Sequence, residues 1–390
     1  MSARTLAVAV LLAVAPAAQL AQAEQTNAPA APRTEVKIES FAKGLEHPWG
    51  LQFLPDGRLL VTERPGRLVI IGKDGKAAAQ VANVPKVAVA GQGGLLDVRL
   101  APDFATSGIV FLSYAEPREG GSNGTSVARA RLVADGQGGR LEDVRVIFRQ
   151  EPAIESPYHF GSRIVPATDG SLFITLGERN FLREEAQNPA NHIGKVVRIT
   201  PDGEAAAGNP RREGWDARVW SIGHRNIQGA AIDAKTGVLW TVEHGARGGD
   251  ELNHPEAGKN YGWPVITYGR DYSGARIGIG THKEGMEQPV YYWDPSIATS
   301  GLAVYSGKLF PAWEGNIFVG GLAGQHVERL VMKDGEVVAV EKLATDVGKR
   351  IRDVREGPDG ALWLLTDEAP WLGIGGVGGE VLRLVPGQSR

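Results

Sequence analysis

The sequence predicts an all-β fold, and three observations carry that expectation. Glycine is abundant, at 52 of 390 residues, long helical periodicity is hard to find, and one strand–turn–strand unit recurs six times. The first copy runs Gly50-Leu51-Gln52-Phe53, through Pro55-Asp56-Gly57, into Leu59-Leu60-Val61-Thr62-Glu63. In the second, residues 96–100 lead through Ala101-Pro102-Asp103 into residues 109–114. The third joins Arg163-Ile164-Val165 through Asp169-Gly170 to residues 172–176, and the fourth joins residues 230–233 through Thr236-Gly237 to residues 239–242. The fifth runs from residues 302–305, by a longer loop ending Glu314-Gly315-Asn316, into Ile317-Phe318-Val319. The sixth joins Val354-Arg355-Glu356 through Pro358-Asp359-Gly360 to residues 362–365.

Asp-Gly-type turns are a hairpin signal with a mechanism, because the turn needs a residue at positive φ. One supersecondary unit cannot bury its own faces, and six copies at intervals of roughly 45 to 75 residues are usually stacked radially. The expected architecture is therefore a six-bladed β-propeller, whose loops at one end converge on a central channel. A β-sandwich does not explain the repeated unit.

The first residues read as a secretory signal peptide (1–23). Arg4 precedes an apolar run over residues 6–20, and Ala21-Gln22-Ala23 supplies a small-x-small cleavage site. The run is too short and wrongly flanked for a membrane anchor. A polar Pro/Ala stretch, residues 24–35, reads as a flexible linker, and residues 36–390 form the propeller domain. The mature chain is expected to be periplasmic or secreted, with no membrane span and as a monomer or homodimer. The absence of cysteine rules out thiolate metal sites and Cys nucleophiles. A net charge of −3 gives no nucleic-acid footprint.

Polar insertions stand just before four of the units: Gly91-Gln92-Gly93-Gly94, then residues 156–161, then Gly223-His224-Arg225-Asn226, and finally Lys349-Arg350-Ile351-Arg352-Asp353. Equivalent repeat positions should face one common mouth. Residues 219–264 are the richest stretch. They hold the Arg225-Asn226 pair, Glu243-His244-Gly245-Ala246, Asp250-Glu251 and Asn260-Tyr261-Gly262-Trp263-Pro264 around one strand. Carboxylates, with glycines that expose backbone carbonyls, suit a hard cation such as calcium. Spacing alone fits an acidic, glycine-rich surface loop equally well.

These motifs together resemble the soluble, pyrroloquinoline-quinone-dependent aldose sugar dehydrogenases of the glucose/sorbosone dehydrogenase family, along nearly the whole mature chain. The residues that carry the resemblance are residues 91–98, His159-Phe160-Gly161-Ser162-Arg163, Gly223-His224-Arg225-Asn226-Ile227-Gln228-Gly229, Glu243-His244-Gly245, Asp250-Glu251, residues 260–264 and residues 350–354. The resemblance implies a planar ortho-quinone with three carboxylates, PQQ, bound in the mouth with Ca2+. It implies His159 as general base for oxidation of an aldose at C1 to the lactone, with electrons passed to an external acceptor. Arg225 would polarise the quinone oxygen beside the reacting carbon. Arg225, Asn226, Arg350 and Arg352 would hold the cofactor, with Gln92 and Tyr272 beside it. The carbonyls of Gly245 and Ala246 would ligate the cofactor's calcium, and Glu251 with the Tyr261 carbonyl a second, structural one. Two positions depart from the pattern of the glucose enzymes: Tyr158 stands where they carry a carboxylate, and Ala323 where they carry a lysine.

Other candidates are weaker. His244, His254 and His282 have no metal-ligand spacing with one another. Ser156 and Ser162 lack a nucleophile elbow. Trp220, Trp240 and Trp363 recur at strand positions, which reads as core. Two other functions share this fold: a calcium-dependent propeller lactonase, which needs no arginine clamp, and a non-catalytic secreted propeller that only binds.

Overall fold

The computed structural model describes residues 28–76, 78–136, 138–367 and 378–387. The expected signal peptide and the first residues of the linker lie outside the described residues. From Pro29 to Ala31 the chain runs beside Val340, with backbone hydrogen bonds of 2.8 and 2.9 Å.

The described residues form 24 strands, one α-helix of four residues (Phe104–Ser107) and three short 3-10 turns. No described helix is long and apolar enough to cross a membrane. Four sheets have four strands each. One holds Ile164–Pro166, Leu172–Thr175, Lys195–Ile199 and Val219–Ile222, and the next holds Ile227–Ile232, Leu239–Glu243, Asp250–Asn253 and Tyr291–Trp293. A third contains Thr299–Val304, Ile317–Gly321, Val327–Lys333 and Glu336–Leu343. The fourth joins the two ends of the chain: Arg350–Glu356, Leu362–Asp367 and Gly379–Pro386 are completed by Val36–Leu45. A fifth sheet has eight strands. It consists of two antiparallel runs, Pro48–Phe53 to Ala78–Ala82 and Leu95–Leu100 to Gly138–Arg149, joined edge to edge where Val81 and Ala82 pair in parallel with Gly139 and Arg140.

Each of the six strand–turn–strand units is an antiparallel pair in this topology. Gly57 and Gly170 take φ of 86° and 84° in their turns, a region costly for any residue with a Cβ. Five of the six second strands are buried throughout: Leu59–Glu63, Leu172–Thr175, Leu239–Glu243, Ile317–Gly321 and Leu362–Asp367 show no exposed position. Both of their faces meet a neighbouring sheet, which is why they read as apolar runs rather than alternating ones. Outer strands are half exposed, as in Ala78–Ala82.

The first strands of successive runs touch in a closed circuit. Pro48–Phe53 meets Leu95–Leu100, which meets Ile164–Pro166, and so on through Ile227–Ile232, Thr299–Val304 and Arg350–Glu356 back to Pro48–Phe53. In five of these strands the register slips within the first few residues, for example between Pro48 and Gly50, and between Ile351 and Asp353. Bulges at that end turn side chains out of the ladder and toward the axis. The polar insertions are delivered to this end.

A buried ionic plug closes the axis below them. Arg163 reaches Asp97 at 3.4 Å and Asp353 at 3.1 Å, while Arg355 reaches Asp97 at 3.0 Å and Asp353 at 2.9 Å. Burial, with Asp97 close by, pushes the Asp353 carboxyl up to about 6 against the pull of Arg163. The Trp49 ring lies 4.0 Å from the Arg163 guanidinium and 5.8 Å from that of Arg352, separating plug from mouth.

Candidate active site

His159 stands where Gly161 and Gly177 allow the backbone to close up. A Cβ on Gly177 would lie 2.0 Å from the His159 carbonyl oxygen, so only glycine fits there. His159 itself sits at φ 51°, an uncommon conformation for a residue with a side chain. Its backbone N–H donates to Gln92 Oε1 at 2.9 Å, and its Nδ1 meets Glu178 Oε1 at 2.7 Å. An ionised carboxylate only accepts, so the proton is on Nδ1 and Nε2 is left as the acceptor. Burial, then the neighbouring Arg225 charge, hold the imidazole below its ordinary pKa, and Glu178 pulls the other way.

A second histidine–carboxylate pair shows what a purely positional one looks like. His224 meets Glu243 Oε1 through Nδ1 and Ser221 Oγ through Nε2, both at 2.9 Å, and is fully buried. It has no ring nitrogen to offer a substrate. His159 has one.

Around His159 the mouth is cationic. Arg225 is 5% exposed, with its guanidinium 5.2 Å from the Trp263 ring centroid; its Nη1 donates to the carbonyls of His244, at 3.2 Å, and Gly245. Arg352 Nη1 donates to Gln228 Oε1 at 2.9 Å, and Gln228 in turn donates to Asn226 Oδ1 at 3.3 Å. Arg350 Nη1 reaches the Leu322 carbonyl at 3.3 Å, beside Ala323. Arg64 donates to the Gly91 carbonyl. Burial lowers the pKa of Arg64, Arg350 and Arg352, the last to about 9, where Arg350 and Arg64 also push down against Asp367.

These donors outnumber their acceptors. The Nε groups of Arg64, Arg225, Arg350 and Arg352, and Nδ2 of Asn226, are buried without a hydrogen-bond partner. Each such group costs about 1–3 kcal/mol. A ligand rich in acceptors and negative charge, such as a tricarboxylate quinone, satisfies them at once, and arginine is the residue suited to carboxylates. The residues present therefore fit that group.

The expected calcium residues lie against the same wall. Glu251 pairs across the sheet with Glu243, and Asn253 Nδ2 donates to both, at 3.1 and 3.2 Å. Burial and the Glu243 charge push the Glu251 carboxyl up to about 8. Both carboxylates line a small cavity with Gly245, Gly249 and Tyr261. Two desolvated carboxylates side by side suit a hard cation. Among the described residues no group of three or more His, Asp or Glu side chains converges to hold a metal, so a cation here depends on main-chain oxygens. The Gly245 carbonyl already accepts from Arg225, and the Gly245 N–H donates to Asp250 Oδ1 at 2.9 Å. The Tyr261 ring stacks on His224 with centroids 4.8 Å apart, and its hydroxyl donates to the His254 carbonyl at 2.7 Å.

The structure thus brings Gln92, His159, Arg225, Asn226, Arg350 and Arg352 to one mouth, with Gly245, Ala246, Glu251 and Tyr261 beside Arg225. Tyr272 stands apart: it is 64% exposed on a turn and shows no hydrogen bond, although Asp271 beside it feels the Arg225 charge. Trp240 and Trp363 are buried in the core, as their strand positions predict. Sequence reasoning missed Glu178 and Arg64. It looked for the histidine's carboxylate at Tyr158, the preceding residue. The partner comes instead from 19 residues further along, just past the end of the adjacent strand.

The profile of the glucose/sorbosone dehydrogenase family matches residues 45–371. The chain is 44% identical over 362 residues to the aldose sugar dehydrogenase YliI of Escherichia coli, covering 92% of this chain and 94% of that protein. Among solved structures it resembles the apo form of the soluble aldose sugar dehydrogenase from Escherichia coli, with a TM-score of 0.83, 44% identity, and coverage of 90% and 99% of the two chains. It also resembles the PQQ-bound aldose sugar dehydrogenase of Streptomyces coelicolor, with a TM-score of 0.75, 30% identity, and coverage of 91% and 99%.

Proposed function

The chain belongs to the glucose/sorbosone dehydrogenase family, and we propose that it is a PQQ- and calcium-dependent aldose dehydrogenase built on a six-bladed β-propeller. The closed circuit of first strands supports the propeller, with the eight-stranded sheet read as two blades that touch at their outer edge. One observation carries the activity: buried arginine and asparagine donors without acceptors surround a histidine whose Nε2 is free to accept a proton.

When bound, the quinone supplies the two-electron, hydride-accepting centre. Arg225, Asn226, Arg350 and Arg352 would hold its carboxylates and oxygens, with Gln92 alongside. Arg225 also places positive charge where negative charge develops. His159 Nε2 takes the proton of the anomeric hydroxyl as the C1 hydrogen leaves with its electron pair, and the aldose becomes the lactone. Glu178 holds the Nδ1 proton in place and stabilises the imidazolium that results. The carbonyls of Gly245 and Ala246 would ligate the calcium beside the cofactor. Glu251 and the Tyr261 carbonyl would hold a structural one. An external acceptor would take up the electrons, and the mature protein would work in the periplasm or outside the cell.

Incubating the quinone- and calcium-loaded protein with a panel of aldoses and an artificial dye acceptor tests this reading. Stoichiometric lactone and reduced dye are the expected products. In a parallel incubation with the lactones, lactone consumption without dye reduction would identify a hydrolase instead.

Calcium should raise the melting temperature, because a ligand of the native state stabilises it by about 2.7 kcal/mol at a hundredfold excess over Kd. A chelator should reverse the shift, and Glu251→Ala should blunt the response. Differential scanning fluorimetry of both proteins checks this, and an unchanged melting curve with chelator removes the structural cation.

The acid limb of kcat/KM should lie below the ordinary histidine range, because the base must be neutral and its pKa is lowered. Glu178 raises that pKa, so Glu178→Gln should move the limb to lower pH as well as slow turnover. A pH profile of both proteins gives the answer; a limb that stays put, or moves to higher pH, contradicts the pairing.

A further inference from the structure

The inner strands have a second open end, opposite the mouth. There, residues from all six first strands, among them Arg99, Val165, Ile232, Leu302 and Arg355, line an open cavity of about 370 Å³. The ionic plug and Trp49 lie between it and the mouth, so the two ends are separate compartments.

The cavity has two unlike walls. One is aliphatic: Val165, Pro166, Ile232 and Leu302. The other carries Arg99 and Arg355. The plug itself is uneven in charge, with three guanidiniums (Arg99, Arg163, Arg355) around two carboxylates (Asp97, Asp353). Arg163 is consumed on both aspartates and on the Gln228 carbonyl. Arg355 spends Nε and Nη2 on Asp353 and Asp97, and its Nη1 meets no acceptor among the described residues. Arg99 donates from Nε to the Ile164 carbonyl at 2.8 Å and lies 3.6 Å from Asp97, and neither of its Nη groups meets an acceptor there. Arg355 is only 7% exposed, so its charge is felt with little screening by solvent. Glu356 also lines the cavity; its carboxylate accepts from the Ser306 backbone N–H, at 2.8 Å, and from the Ser306 hydroxyl, and it forms no ion pair with Arg99 or Arg355.

The geometry points to a second binding site here, for a monocarboxylate with a short aliphatic tail. The carboxylate meets Arg99 Nη and Arg355 Nη1, the plug donors that have no acceptor. The tail lies on Val165, Ile232 and Leu302. A cavity of this size with one apolar wall and a few convergent donors is of the kind that takes small ligands. The site is independent of the sugar chemistry, because none of its residues reaches the mouth.

Isothermal titration of hexanoate into the calcium- and quinone-loaded protein tests it, with hexan-1-ol as the uncharged control. Hexanoate should bind one to one, and at least about 10-fold more tightly than the alcohol. Arg99→Gln, which leaves Asp97 held by Arg163 and Arg355, should weaken hexanoate about 10-fold or more with sugar turnover unchanged. Ile232→Glu puts a like charge on the aliphatic wall, at a half-buried position, and should have the same effect without touching the plug. No hexanoate binding, equal binding of acid and alcohol, or binding that neither variant weakens would overturn the site. If Arg99→Gln does not fold, the response of Ile232→Glu decides the matter.

Discussion

His159→Ala is expected to lose roughly 10²- to 10⁴-fold in turnover, the usual contribution of a positioned general base, while still binding the quinone. The side chain supplies one acceptor nitrogen to the mouth, whereas the acceptor-hungry groups are arginines and an asparagine that the substitution leaves in place. Binding and chemistry should therefore separate. Quinone titration and steady-state dye reduction at saturating cofactor measure the two sides. Near-normal turnover would show that another group takes the proton. Loss of quinone binding would make His159 a cofactor residue, and the kinetic loss would then say nothing about proton transfer.

Arg225→Ala should fail on both measures. Its guanidinium is buried, has an unpartnered Nε, and lies 4.0 Å from Glu178 Oε1 and over Trp263. Removing a charge-assisted contact to the cofactor should weaken quinone binding by roughly 10- to 100-fold. Removing the positive charge from the reacting oxygen should cost roughly 10²- to 10³-fold in turnover even when cofactor is saturating. A third consequence has a definite sign: Arg225 lowers the pKa of His159, so the acid limb of the remaining activity should move to higher pH. Glu178→Gln should move it the opposite way, and the two variants together tell an electrostatic role from a structural one.

Much of the inner architecture was legible because its signals are local. An Asp-Gly turn between two apolar runs states its own geometry, and all six units are hairpins. The outer strands were not read, because half-exposed segments such as Ala78–Ala82 have weak alternation. Nor was the closure of the last sheet by Val36–Leu45, since pairing with Gly379–Pro386 spans nearly the whole chain.

The arginines and His159 were legible from their place before each unit. Glu178 was not, because sequence adjacency is a poor guide in a sheet where neighbours come from the next strand. A signal was nonetheless there. The second strands of four units end in a carboxylate or run on to one: Glu63, Glu178, Glu243 and Asp367. Three of these hold histidines from the loop before a unit, in the pairs His47–Asp367, His159–Glu178 and His224–Glu243. Arg64 follows Glu63 at the same place in the repeat. Position in the repeat, rather than proximity in sequence, locates both.

The most direct test of the account is a stoichiometric titration of calcium-loaded apoprotein with pyrroloquinoline quinone, following bound quinone and glucose-dependent dye reduction in the same samples. Buried arginines without acceptors predict tight binding of one quinone per chain, with activity rising in proportion and levelling off at that point. Dye reduction that is absent at full occupancy, or that proceeds without the quinone, would contradict it.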